Sequence, residues 1–338
     1  MAGNANAKIK LLVLADIFKR YSDDDHVLNS ADIIDYLEEN GISAERKSLY
    51  SDIAILREYG MDIISATTPK KGFFLGSRDF ELAEVRLLSD AVQAADFITP
   101  AKTRSLLSKI GGFASIHQEK KLKDQLYIDA RPKCTNEEIY YSIDALDTAI
   151  KNEKKVNLQY AKRVLGDKYT ARRECKSFFV SPYALIWSND HYYLICNNSK
   201  YNNLMHLRID RIHSVEISDE KVRPFKEVCE YKTAFNSADY VSKVFNMFTG
   251  NTDVVELECK GDILEQILDR FGEHVHLMKG EHENTFKVRF TAAVTDGLVS
   301  YIMQFGDAVT VMFPDVLREM VITKANSIIG NYNHLKNN

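Results

Sequence analysis

The sequence predicts a mixed α+β chain of several domains, helical at its amino end, strand-rich in its middle and alternating at its carboxyl end. Three observations carry this. At 338 residues the chain exceeds one ordinary domain, so two to four are expected. Apolar residues recur at helical spacing up to about Ala149, and short β-branched and aromatic runs between polar turns follow. The last third then exchanges strand and helix patterns one by one.

At the amino end, Ile9, Leu12, Val13 and Ile17 define a first helix. A second starts near Ser30, buries Ile33, Ile34 and Leu37, and stops at Gly41 as at a C-cap. Ser43 is placed to cap a third, which ends near Tyr59 and Gly60. "MDIISATTPKKGFFL" alternates into a hairpin tipped by Pro69, Lys70, Lys71 and Gly72. Three helices and a hairpin form the order of a winged helix-turn-helix, assigned to residues 1–77.

Residues 78–135 read as a charged helical linker or dimerisation region. Thr99-Pro100 marks a helix start and Gly111-Gly112 a break. "TNEE" (Thr135 to Glu138) has capping-box spacing and opens a helix through Ala149. "KVNLQY", "SFFVSPYALIWS", "HYYLIC" and "MHLRIDRI" are close-set strands that suggest a small antiparallel barrel or half-barrel, within residues 136–228. In residues 229–338, "DVVELEC", "DILEQILDRFG", "HVHLMK", "TFKVRFTA", "VTDGLVSYIMQFG" and "AVTVMF" give the β-α-β-β-α-β order of a ferredoxin-like fold, and a final helix starts at Pro314.

Composition narrows the function classes. Apolar residues make up 45% and charged residues 27%, which favours packed cores over disorder. The net charge of -4 confines any nucleic-acid contact to local basic patches. Cys134, Cys175, Cys196, Cys229 and Cys259 form no CxxC pair, so neither a disulfide framework nor a zinc finger is indicated, and a reduced cytoplasm fits. "LLVLADIF" is interrupted by Asp16 and too short to span a bilayer, so no membrane partner is expected. Cys196 with His206, or Ser181 with His206, lack any accompanying nucleophile elbow or phosphate loop. His274, His276 and His282 have no carboxylate or cysteine pattern to complete a metal site. The expectation is a protein without catalysis or cofactor.

On a helical wheel, Leu49, Ile53 and Leu56 share one side of the third helix. Lys47, Tyr50, Ser51 and Ala54 share the other, with Arg46 and Arg57 at its margins. Long donors near the helix start reach base edges and phosphates, and Lys70 and Lys71 would hold flanking phosphates. The bland alternative is a solvated face on a protein-binding domain, with Glu45 and Glu58 diluting the charge. In "MHLRIDRI" (Met205 to Ile212), Met205, Leu207 and Ile209 fall on one face of a strand and His206, Arg208 and Asp210 on the other. Ser181 and Tyr183 likewise share a face, so hydroxyls, imidazole and guanidinium converge if the strands are neighbours. The alternative pairs Arg208 with Asp210 on an exposed sheet. "ARRECK" (Ala171 to Lys176) adds a positive rim or is a solvated hairpin.

Two stretches resemble a known family. "RKSLYSDIAILREYGMDI" is similar to the recognition helix of bacterial winged-helix regulators of the WYL-domain class, through Arg46, Lys47, Tyr50, Asp52 and Ile53. Ser48 stands for the usual threonine, and Ser51 replaces an arginine. "SPYALIWSNDHYYLICNNSKYNNLMHLRIDRI" resembles the WYL domain through Pro182, Tyr183, Leu185, Tyr193, Leu194, Arg208, Asp210, Arg211 and Ile212. Tyr192 stands for the tryptophan that names the family. The carboxyl segment resembles the extension that often follows such domains. The resemblance implies an Sm-like (SH3-like) barrel holding a nucleotide or single-stranded nucleic-acid effector through Ser181, Tyr183, His206, Arg208 and Arg211. It also implies a homodimer on double-stranded operator DNA, contacted through Arg46, Lys47, Ser48, Tyr50, Ser51, Lys70 and Lys71. The function expected is a cytoplasmic, ligand-responsive transcriptional regulator, first of all a repressor. The alternative is a nucleic-acid-sensing accessory protein that controls a partner enzyme by contact.

Overall fold

The computed structural model describes residues 2–68, 70–125, 133–166, 169–188, 190–228, 240, 244–245, 248, 250–273 and 275–336. Pro69, Cys229 and His274 lie outside them. The fold is mixed α+β, with several antiparallel sheets, and divides into two compact units, Met1–Thr135 and Asn136–Asn338.

The first unit opens with helices α1 (Ala2–Tyr21), α2 (Ser30–Glu39) and α3 (Arg46–Tyr59), then the hairpin β1 (Ile63–Ala66) and β2 (Gly72–Leu75). Its core gathers Leu14, Ile17 and Phe18 from α1 with Ile33 and Leu37 of α2 and Leu49, Ile53 and Leu56 of α3. Ile9 and Leu12 face outward instead, because the buried stripe of α1 runs through Leu14 and Phe18. Asn29, not Ser30, caps α2 in a reciprocal box with Asp32. Ser43 does not cap α3; Glu45 holds that position without a side-chain bond, and Gly60 ends the helix in the left-handed region at φ 110°. Leu28 pairs with Phe73, adding a third segment to the hairpin. Helices α4 (Leu82–Ala94), α5 (Pro100–Gly111) and α6 (Ile116–Gln125) follow. Thr99 caps α5, accepting from the Lys102 N–H, with Pro100 at the first turn.

The second unit begins with α7 (Ile139–Lys151). The expected Thr135–Glu138 box does not set its start. The Asn136 carboxamide accepts from the Glu138 N–H and donates to the carbonyls of Ile212 and Asp210. Strands β3 (Lys154–Leu165), β4 (Ala171–Ser188), β5 (His191–Asn198), β6 (Met205–Arg208) and β7 (Ile212–Lys221) form one antiparallel sheet in the order β6-β5-β4-β3-β7. β6 and β7 lie on opposite edges, yet only the 3₁₀ turn Ile209–Arg211 joins them. Five flat strands would hold those edges about 19 Å apart, farther than a turn rising about 2 Å per residue reaches. The sheet is therefore curled. Among the described residues no β6–β7 ladder closes it, so the expected barrel is open.

The carboxyl part runs β8 (Thr252–Lys260), α8 (Leu264–Phe271), β9 (His276–Lys279), β10 (Thr285–Ala293), α9 (Asp296–Met303), β11 (Val309–Phe313) and α10 (Asp315–Lys336). Its antiparallel sheet has the order β11-β8-β10-β9. Val255, Leu257 and Val288 pack there against Ile267, Leu298 and Ile302 of the helices. Among the described residues no helix is long and apolar enough to cross a membrane.

Candidate functional site

In α3 the buried positions are Leu49, Ile53 and Leu56, as the wheel requires, and Arg46, Lys47, Ser48, Tyr50 and Ser51 are all exposed. Ser48 accepts from the Lys10 ammonium at 2.8 Å. That ammonium also pairs with Asp52 at 2.6 Å, which ties α1 to the start of α3. Hydrogen bonds from Ser30 and Arg46 hold the Tyr50 phenol below its ordinary value. Its ring stands edge-on to Phe73 of the hairpin. Lys71 is exposed at the hairpin, whereas Lys70 is drawn onto Asp32 at 2.6 Å. Arg57 braces the hairpin against the helix, donating to the Ile63 carbonyl at 2.7 Å and to Ser65 at 2.9 Å over the Phe73 ring.

The curled sheet distributes the other predicted residues between two groups. Ser181 and Tyr183 share a face across a bulge at Pro182–Ala184. The buried Ser181 hydroxyl accepts from the Arg223 N–H at 2.9 Å, and the Tyr183 hydroxyl donates to the Arg223 carbonyl at 2.8 Å. Burial pushes the Tyr183 phenol up to about 12. Both hydroxyls thus fix the strand that leaves β7. The Arg223 guanidinium donates onward to Glu227, the Tyr201 carbonyl and Asn202. His206 lies 2.7 Å from the Tyr240 hydroxyl, its ring edge-on. A cavity opens beside His206, lined also by Asn198, Tyr201, Asn203, Met205 and Phe248.

The second group centres on Arg208, which stands across from Tyr193. Its guanidinium grips Asp210 bidentately at 2.9 and 2.7 Å, with side-chain exposures of 24% and 13%. Burial alone would lower Arg208, but the Asp210 carboxylate outweighs it and holds the group above its ordinary value. The chain does bend after Arg208, and the turn brings Arg211 close enough for its charge to reach the Tyr193 phenol together with those of Arg208 and Asp210. Cys196 pairs with Met205, and Ile195 with His206, so thiol and imidazole occupy opposite faces. Burial pushes the Cys196 thiol up. Among the described residues no group of three His, Cys, Asp or Glu could hold a metal.

Sequence reasoning missed Tyr240, Arg223 and Asn136. Tyr240 and Arg223 reach their partners across 34 to 42 positions, and Asn136 across more than 70, with no local pattern to announce them.

Residues 142–217 match the family model of the WYL domain, and residues 252–329 that of the WCX domain. The chain is a WYL-domain protein with a WCX domain behind it. Among solved structures it is similar to Proteasome accessory factor B/C (PafBC) of Arthrobacter aurescens, at 16% identity over 96% of this chain, with a TM-score of 0.27. This chain spans about half (49%) of the PafBC chain. It is also similar to a CRISPR Cas-related protein, at 15% identity over 98% of this chain and 85% of that one, with a TM-score of 0.38. No curated protein matches it.

Proposed function

We propose that the chain is a DNA-binding transcriptional regulator whose WYL domain responds to an anionic nucleotide or single-stranded nucleic acid. Residues 1–77 are read as a winged helix-turn-helix, the curled sheet as an open Sm-like half-barrel, and residues 252–329 as ferredoxin-like. One observation supports the reading most: five polar or basic side chains near the start of α3 are exposed together while its apolar stripe is buried. The protein acts as a homodimer without catalysis, on half-sites one or more helical turns apart. Effector binding relieves repression, with a coupling of about 1–3 kcal/mol.

The test is binding to the duplex upstream of its own gene, by footprint and by titration at fixed salt. Arg46→Ala with Lys47→Ala should weaken binding at least about tenfold and lower the log–log salt slope by about 1.8, for two lost phosphate contacts. Wild-type affinity in this folded double variant excludes α3 as the reader. A chain with no duplex affinity at all belongs instead to the contact-acting accessory class.

A further inference from the structure

A second basic surface lies on a part of the chain that neither the α3 face nor the Arg208 group uses. Strands β3 and β4 stay paired for five register pairs, from Ala161↔Cys175 to Leu165↔Ala171. The last β7 partner on β3 is opposite Tyr160, and β5 joins β4 only at Val180. Those five pairs form a two-stranded ribbon about 17 Å long with no third strand beside it. Lys162, Arg163, Arg172, Arg173 and Lys176 are exposed on and beside it, and Glu174 is the acid among its described residues.

The register separates the ribbon's faces. Lys162 stands opposite Glu174 on one face, a matched pair. On the other, Arg163 stands directly opposite Arg173, and the remaining residues there, Ala161, Leu165, Ala171 and Cys175, carry no acid. Like charges set opposite one another destabilise a strand pair. An anion between them turns that repulsion into two attractive contacts. At the tip, Tyr169 is 88% exposed. An open aromatic ring beside paired guanidinium groups is the combination that holds single strands: guanidinium forks take phosphate oxygens, and the ring stacks on a base. In a duplex the bases are already stacked, and the ring would have no use.

We propose that the β3–β4 ribbon is a contact surface for single-stranded nucleic acid, with Arg163 and Arg173 on backbone phosphates and Tyr169 stacked on an unpaired base. The partner class is that proposed for the WYL effector, but the assignment stands on ribbon residues and not on Arg208 or α3.

The full-length chain is titrated by fluorescence anisotropy with a labelled oligothymidylate of about 16 nucleotides, between about 50 and 200 mM salt. Wild type should bind. Arg163→Ala with Arg173→Ala should weaken binding about tenfold and lower the salt slope by about 1.4, for two single-strand phosphate contacts at about 0.7 each. The double lysine variant keeps both charges and should keep the slope. Tyr169→Ala should lose about fivefold with the slope unchanged. Bound oligonucleotide should shield Cys175, exposed on the arginine face, from alkylation read by peptide mass. Wild-type affinity and slope in the double alanine variant overturn the proposal. So does a wild-type chain that ignores the oligonucleotide, whether or not it binds phosphatidylserine vesicles. Duplex binding measured in parallel, lost in the Arg46/Lys47 variant alone, keeps the two readings apart.

Discussion

Arg208 shows how a residue can be half legible. Its neighbour two positions on, Asp210, is visible in the sequence as a partner, and the structure forms that pair with both carboxylate oxygens. An incoming phosphate has to compete with this carboxylate for the same fork. Asp210→Asn removes the competitor's charge, so affinity for an anionic nucleotide should rise about tenfold in calorimetric titration, while Arg208→Ala should abolish it. Unchanged heats in both variants would exclude Arg208 from the effector site. The face of α3 was legible because burial at Leu49, Ile53 and Leu56 follows the helical period. The loss of Lys70 to Asp32 was not, since 38 positions separate them and only the folded hairpin brings them together.

At the scale of elements, order was legible and ends were not. Period and turn chemistry place α2, α3, β8 and β10 close to their observed spans, but caps depend on which nearby side chain wins a backbone bond. Asn136 takes the role expected of Thr135 because its carboxamide also reaches the carbonyls of the turn that carries Asp210 and Arg211. Asn136→Ala should therefore cost about 1–3 kcal/mol in denaturant titration, the range for stranding buried polar groups. Helix α6 meets the α1–α2 loop through a second long-range contact. The His117 and His26 rings stack at 3.6 Å, His26 lies 2.6 Å from Asp23, and the Ser115 hydroxyl donates to the other Asp23 oxygen.

That contact has a pH dependence whose sign follows from its groups. Burial, and then the His26 charge, hold His117 below its ordinary value of 6.5. The unfolded chain takes up this proton where the folded chain still refuses it, so stability falls as pH drops through about 6.5. Burial alone would raise Asp23, but the Ser115 hydroxyl and His26 outweigh it and keep it below 3.8, so its contribution disappears only at more acid pH. Thermal melts should shift down by a few degrees between about pH 7.5 and 5.5. His117→Gln should flatten that shift; an equal shift in the variant would locate its origin elsewhere.

For the molecule as a whole, the two units have separate cores, one around Leu37 and Leu49, another around Leu257 and Val288. Leu37→Ala and Leu257→Ala should each cost about 2–5 kcal/mol and move different calorimetric transitions, with the double variant showing the sum. The division near residue 135 was legible from the switch of hydrophobic period. The open curl of the β6-β5-β4-β3-β7 sheet was not, because closure depends on edge contacts that alternation along single strands does not encode. Arg57 carries one last implication. By clasping the hairpin's carbonyl, hydroxyl and ring, it makes helix and hairpin a single stiff reading head. A signal arriving from elsewhere in such a regulator is left to change how two heads are spaced on their double helix, because the grip of each head is already set.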